Sequence, residues 1–339
     1  MKAVRLEGLE QLFLRDVAPP EPGPGELLVR VEASGVCGTD RHLLHGSFPS
    51  TPPVTIGHEF CGIVEALGPG ASGFAIGDRI TADPNIVCGR CEPCQKGRIN
   101  LCRNLRALGI QRDGGFATHA IVPQSQAYGL PASVKPEHGA FCEPIACCLH
   151  GIDMAQIQAG ATVAVLGGGV IGLLTVQLAR LAGARQVVLS TRQASRRRLA
   201  EDLGATATVD PTAGDPVAAI SGPGGVLPGG ADVVIECAGV PDTMRQMTHV
   251  ARAGGTVVVL GVMPKGETVA WEPFDVLFRE LRVLGSFINP FTHRRAAELV
   301  AAGTLQLDPL VTRRMGLDEV VNVVRQPAQP GEVKAMAVA

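Results

Sequence analysis

Val163-Ala164-Val165-Leu166-Gly167-Gly168-Gly169-Val170-Ile171-Gly172 is the stretch on which the fold turns. An apolar run of strand length ends in G-x-G-x-x-G at 167, 169 and 172, and residues 171–182 then show helical periodicity. Each glycine has its own task in such a unit. Gly167 permits the tight turn, Gly169 lets the backbone approach a pyrophosphate, and Gly172 lets helix and strand pack closely. Val170 and Ile171 open the helix, whose first amides offer donors and partial positive charge to phosphates. A glycine-rich turn alone would be weak evidence, but the pattern continues. A second strand is expected at 186–190, a helix at 195–203, and further strands at 232–236 and 256–260. That alternation predicts a doubly wound parallel sheet of the Rossmann type over 151–285.

The preceding residues have another texture. Short β-like runs at 26–33 and 61–67 are separated by turn-rich sequence, which predicts a β-rich, partly barrel-like domain. After Gly285 the regular alternation stops, and the chain is expected to return to that first domain. The predicted class is α/β, with one domain from 1–150 and 286–339 and a dinucleotide-binding domain at 151–285.

Within the first domain, Cys88, Cys91, Cys94 and Cys102 follow the spacing C-x2-C-x2-C-x7-C. Four thiolates on one short excursion can fill a tetrahedral Zn²⁺ shell with no open position, the mark of a structural zinc. An iron–sulfur reading fits less well, because Cys102 follows after seven residues and no proline comes next. Disulfides would require an oxidising compartment, and the opening Met1-Lys2-Ala3-Val4-Arg5-Leu6 has no signal-peptide character. A cytoplasmic location is expected.

The end of the second strand of the parallel sheet carries a different signal. NAD-specific sheets place an acid there for the ribose hydroxyls. This chain reads Ser190-Thr191-Arg192-Gln193-Ala194-Ser195-Arg196-Arg197-Arg198, with no acid from 187 to 200. Thr191, Arg192 and Arg196 are therefore candidates to bind a 2′-phosphate, and NADP(H) is expected in preference to NAD(H). One or two of the three consecutive arginines can equally be a solvated helix face. Ala238 and Gly261, just beyond two further strands, are additional cofactor candidates, because ligands of open parallel sheets bind at the carboxyl ends.

Bulk properties narrow the class. The 339 residues suffice for two domains, and 30 basic against 32 acidic residues give no reason to expect nucleic acid or an anionic membrane as partner. No apolar run reaches the length of a bilayer span. One Trp and one Tyr leave little for an aromatic sugar-stacking platform.

Two more motifs, Gly35-Val36-Cys37-Gly38-Thr39-Asp40-Arg41-His42 and Gly57-His58-Glu59-Phe60-Cys61-Gly62, complete a recognisable order of parts. With the cysteine lobe and the glycine loop they resemble the zinc-dependent medium-chain dehydrogenase/reductase family over essentially the whole chain. Glu143-Pro144 resembles the polyol (sorbitol-type) branch, where alcohol dehydrogenases proper usually carry cysteine. The resemblance implies a GroES-like catalytic domain and two zinc ions per chain. It implies that Cys37, His58 and a carboxylate, Glu59 or Glu143, hold a catalytic zinc that lowers the alcohol's pKa, with hydride passing to the nicotinamide. It also implies a proton path through Thr39 and His42, although His42 can as readily be a surface histidine. Asp40 is expected to orient a ligand or brace the loop, and Phe287 and Asn289 either to face substrate or simply to pack. The implied substrate is a polyol, cyclitol or sugar-derived alcohol, and the implied assembly a homo-oligomer, commonly a tetramer. The rivals are an L-threonine 3-dehydrogenase-like enzyme and a non-catalytic dinucleotide-binding protein. Loss of Cys37, His58 or Glu143 would favour the latter, and all three are present.

Overall fold

The computed structural model describes residues 1–339, which divide into two compact units. One comprises Met1–Ala146 with Asn289–Ala339, and the other Cys147–Ile288.

The second unit is built on a six-stranded, wholly parallel sheet. Its spatial order is Ala207–Val209, Gln186–Ser190, Thr162–Leu166, Ala231–Glu236, Ala251–Val259, Arg282–Gly285. The order runs outward in both directions from Thr162–Leu166, so the chain reverses direction beside that strand, where doubly wound sheets bind nucleotides. Every residue of Thr162–Leu166 is buried, as expected of a strand covered on both faces. Leu166 lies opposite Ser190 on one side and Glu236 on the other, and Glu236 lies opposite Val259. The carboxyl ends of four strands are thereby level. Ala164, Leu166, Val188, Val234, Met247 and Val257 share one core beneath them.

The first unit is β-rich. Glu26–Gly35 is the organising strand, pairing antiparallel with Glu59–Leu67, His119–Pro123 and Lys334–Val338. Its side chains alternate between buried and half-buried, and Leu27, Val29 and Val31 enter a core with Phe60, Val64, Ile80 and Val122. The last strand, Lys334–Val338, also pairs in parallel with Val311–Met315. Gly35 stands opposite Glu59 on one side and Met336 on the other, so three distant segments meet in one row of the sheet.

The chain leaves the first unit inside the helix Cys142–Ala155 and re-enters it at Asn289. On re-entry Asn289 is buried, donates to Asp83 Oδ1 at 3.3 Å and accepts from Asn85 Nδ2 at 2.6 Å. Thr292 donates its hydroxyl to the Ala146 carbonyl at 2.7 Å. Asn289 is thus occupied in packing, whereas Phe287 remains 45% exposed.

Candidate functional site

The four cysteines of the lobe converge. Cys91 Sγ lies 3.4 Å from Cys94 and 3.8 Å from Cys102, and Cys102 lies 3.5 Å from Cys88. Tetrahedral zinc with Zn–S bonds of about 2.3 Å requires sulfur separations of about 3.8 Å, so the cage has the right size. The amides of Cys88 and Asn104 each point at Cys102 Sγ at 3.3 Å. Backbone hydrogen bonding, from Arg90 foremost, draws the Cys88 thiol down to about 6. Desolvation and the neighbouring sulfurs push Cys94 up to about 12. Four such sulfurs ionise together only around a cation, and this donor set fits zinc.

The second cluster gathers Cys37, His58 and Glu59, whose ligand atoms lie within 4.8 Å of one another. Local sequence explains their placement. Cys37 precedes the short helix Gly38–Leu44, and the third helical residue, Asp40, accepts the Cys37 amide at 2.8 Å. That reciprocal cap fixes the Cys37 backbone. Asp40 is fully buried, and its other oxygen faces His58 Nδ1 at 3.6 Å. A carboxylate behind an imidazole orients the ring and leaves the other ring nitrogen for a metal.

A residue that sequence reasoning missed completes the cluster. Lys334 is buried, and its ammonium contacts the Glu59 carboxylate. Gly35 makes the space, because a Cβ there would strike Glu59 and lie 2.7 Å from Lys334 Cε. The available signal was a lysine opening an otherwise apolar strand, Lys334-Ala335-Met336-Ala337-Val338. Burial opposes charge on Lys334, yet Glu59 and Cys37 keep its proton affinity above the ordinary lysine value. Burial likewise opposes charge on His58, but Asp40 and Cys37 raise it well above the usual histidine range. The pocket is rich in negative charge and suited to a dication.

Glu143 is buried but falls outside the group within 4.8 Å. Its charge nonetheless acts on both His58 and Lys334. Thr39 Oγ1 lies 3.6 Å from Cys37 Sγ. His42, on the same face of its helix one turn later, is half-buried with Nδ1 3.0 Å from Ser47 Oγ.

In the other unit, the glycine loop leads into the helix Val170–Leu181. Gly167 has φ +114°, a conformation that disfavours a side chain, and a Cβ there would approach Ala238 to 2.8 Å. A Cβ on Gly172 would collide with the Gly167 carbonyl. Gly169, in contrast, has nothing within 4 Å of that position. Its open surface beside an uncapped helix start suits a pyrophosphate. Val170 and Ile171 are half-buried at that start.

The arginines separate into different roles. Arg197 donates to the Thr191 and Arg192 carbonyls, both at 2.8 Å, and pairs with Asp210 at 2.9 Å. Asp210 directly follows the neighbouring strand Ala207–Val209, whose last residue lies opposite Ser190. Arg197 and Thr212 occupy it. Thr191 is buried against Gly168, Arg192 is exposed, and Arg196 is half-buried. Ala238 is exposed and Gly261 half-buried at their strand ends.

Known proteins share this arrangement. Residues 23–132 match the alcohol dehydrogenase GroES-like domain, and residues 170–302 match the zinc-binding dehydrogenase model. L-threonine 3-dehydrogenase of Thermococcus kodakarensis is 34% identical over 308 residues, covering 89% of this chain and 87% of its own. The enzyme of that name from Idiomarina loihiensis is 33% identical over 326 residues, 94% of each chain. A zinc-binding dehydrogenase from Sinorhizobium meliloti 1021, solved bound to NADP, is 66% identical with a TM-score of 0.99, covering 100% of this chain and 99% of that one. Galactitol-1-phosphate dehydrogenase from Escherichia coli is 28% identical with a TM-score of 0.88 over 100% of both chains. The chain belongs to the zinc-dependent medium-chain dehydrogenase/reductase family, with a GroES-like domain and a Rossmann-type sheet. It is a dehydrogenase that acts on a small-molecule alcohol with a nicotinamide cofactor.

Proposed function

We propose that the enzyme prefers NADP(H) and moves a hydride between it and a secondary hydroxyl of a polyol, cyclitol or sugar derivative. The observation that carries the cofactor reading is the pairing of Arg197 with Asp210. It neutralises the acid that follows the adjoining strand, while Thr191 and the exposed Arg192 offer a hydroxyl and a cation to a 2′-phosphate in this reading. The relative solved with NADP supports the same reading. Arg196 is a second partner for that phosphate, and Gly167, Gly169, Val170, Ile171, Gly172, Ala238 and Gly261 form the rest of the cofactor surface.

Each chain holds two zinc ions in this reading. Cys88, Cys91, Cys94 and Cys102 bind the structural one. Cys37, His58 and Glu59 offer ligands to the catalytic one, with Glu143 as the second carboxylate of that environment. When bound, the catalytic zinc supplies Lewis acidity that lowers the pKa of the substrate hydroxyl. Asp40 orients His58, Lys334 holds one oxygen of Glu59, and Thr39 with His42 offers a path for the released proton. The unit of Met1–Ala146 with Asn289–Ala339 is the catalytic part in this reading and Cys147–Ile288 the cofactor part, their bounds within four residues of the 1–150, 286–339 and 151–285 expected from sequence.

The enzyme is a homo-oligomer in this reading, a tetramer by its family resemblance, and the surface of the cofactor part supports association. Arg282–Gly285 is an edge strand, and nearby Phe274, Leu277 and Phe278 are 57%, 72% and 69% exposed. Such an edge and apolar patch favour association. No helix is long and apolar enough to cross a membrane, and we place the enzyme in the cytoplasm.

A second reading, an L-threonine 3-dehydrogenase, is favoured by the names of the curated relatives. One experiment separates the two. Polyols, cyclitols and L-threonine are assayed with NADP⁺ and NAD⁺ separately. Turnover of a polyol or cyclitol best with NADP⁺ is expected, and L-threonine as the preferred substrate would overturn the polyol reading.

A further inference from the structure

Glu236 ends the strand beside Thr162–Leu166 and is fully buried, an unusual place for an acid. One carboxylate oxygen, Oε1, accepts three hydrogen bonds: from Ala238 N at 2.8 Å, Gly239 N at 2.9 Å and Thr243 Oγ1 at 2.6 Å. The residue between, Cys237, donates its amide to Leu166 at 2.8 Å. The chain from 237 to 239 is therefore tied to the strand that leads into the glycine loop and to the carboxylate at its own strand end. Three turns meet here. Gly167 approaches Ala238 so closely that a Cβ would sit 2.8 Å from its nitrogen, and a Cβ on Gly239 would sit 2.8 Å from Val262 N. Gly261 donates its amide to the Glu236 carbonyl at 2.8 Å.

In a trans peptide the carbonyl points opposite to the N–H. Turning the amides of Ala238 and Gly239 inward therefore turns the carbonyls of Cys237 and Ala238 outward, at the end of the sheet where ligands bind. We propose that Glu236 is a positioning residue for the nicotinamide cofactor. It holds the turn at 237–239 so that the Cys237 and Ala238 carbonyls accept hydrogen bonds from the cofactor's hydroxyl or amide groups. Thr243, on the helix Pro241–Val250, braces the carboxylate from behind. This inference rests on the reading of the sheet as a nicotinamide nucleotide site.

The test is fluorescence titration of the zinc-loaded enzyme with NADPH and NADH, paired with thermal unfolding of each protein. Glu236→Gln keeps the shape but weakens three hydrogen bonds at once. We expect its NADPH Kd to rise about tenfold, with KM for the cofactor raised more than kcat is lowered. Thr243→Val should raise the Kd less, and Thr243→Ser, which keeps the hydroxyl, should restore it. If Glu236→Gln does not fold, the two Thr243 variants decide the matter. A lowered Tm with the Kd within about twofold of the parent would make Glu236 merely structural and overturn the inference. If the parent binds neither nucleotide, the underlying dehydrogenase reading fails first.

Discussion

The Lys334 ammonium and the Glu59 carboxylate meet in the interior of the β-rich unit, each with almost no exposure to solvent. Neither charge has water to fall back on, so each depends on the other. Removing one partner of such a pair leaves an uncompensated buried charge and costs about 3–5 kcal/mol. Lys334→Met is expected to lower stability by that amount and to reduce zinc retained at the Cys37–His58–Glu59 cluster, while the cysteine lobe keeps its metal. Denaturant unfolding and metal analysis by mass spectrometry check this. A variant with two zinc ions and parental stability would show that the pair is dispensable.

The cysteine lobe should behave in the opposite way. Cys91 is central to the sulfur cage, lying 3.4 Å from Cys94 and 3.8 Å from Cys102. Cys91→Ala is expected to remove one zinc and to weaken stability or assembly, with little change in turnover per correctly folded molecule. Metal content and active-site-normalised kcat measure the two effects separately. Full stability with both metals bound would rule out a structural zinc here.

Cofactor choice should yield to two substitutions. A charge-assisted contact to phosphate is worth roughly 1.5–3 kcal/mol, or about one to two decades in affinity. Thr191→Asp combined with Arg192→Leu removes that attraction and adds repulsion, and kcat/KM should move toward NAD(H). Arg197→Leu should act differently, since it releases Asp210 and the carbonyls of Thr191 and Arg192. It should lower stability as well as NADP(H) preference. Equal or better efficiency with NAD(H) in the parent enzyme would refute this account of the loop.

Two buried groups near Asn289 should give opposite pH dependences. Burial pushes the Asp83 carboxyl up to about 6, and burial pulls His293 down to about 3. A raised acid favours folding when protonated, so Asp83 contributes stability at low pH that is lost as pH rises from about 4 through 6. A depressed histidine contributes stability above about 6.5 that is lost as pH falls toward 3. In the parent the two slopes oppose each other between pH 4 and 6. His293→Gln should therefore grow more stable on acidification across this window. Asp83→Asn should lose stability more steeply there, and should gain up to roughly 3 kcal/mol at pH 7. Its amide oxygen can still accept from Asn85 and Asn289, which both address Asp83 Oδ1. Chemical denaturation at pH 4, 5, 6 and 7 reads both slopes, and parallel curves for parent and variants would refute the assignment.

Local patterns carried the cofactor half of the molecule. Thr162–Leu166 and Gln186–Ser190 are readable as strands because each holds an apolar run, 163–166 and 187–189, between turn signals, and the glycine spacing marks the loop after the first of them. The convergence of the four cysteines was equally legible, since they are near neighbours in sequence. The second cluster was legible only in its motif residues, Cys37 and His58 with Glu59. Lys334 was not, because its partner is brought to it by strand register rather than by spacing. Asp210 was hidden for the same reason: only the adjacency of two parallel strands sets it beside Arg197. Asn289 was open between substrate and packing until its hydrogen bonds to Asp83 and Asn85 assigned it to packing. Glu236 could be seen at a strand end, but not that its carboxylate turns back onto its own loop.

The row of the sheet that joins Glu59, Gly35 and Met336 has a consequence for the order in which the enzyme matures. A ribosome releases Cys37, His58 and Glu59 early and Lys334 almost three hundred residues later. At roughly 5–20 residues per second, that gap lasts from about a quarter of a minute to about a minute. During it the nascent β-rich unit has its metal-binding side chains but lacks the strand that neutralises one of them. The parallel-sheet unit, synthesised in between and continuous in sequence, can fold while the discontinuous one waits. Metal acquisition at the Cys37–His58–Glu59 cluster is therefore expected to follow the synthesis of Lys334, whereas the cysteine lobe can be loaded earlier.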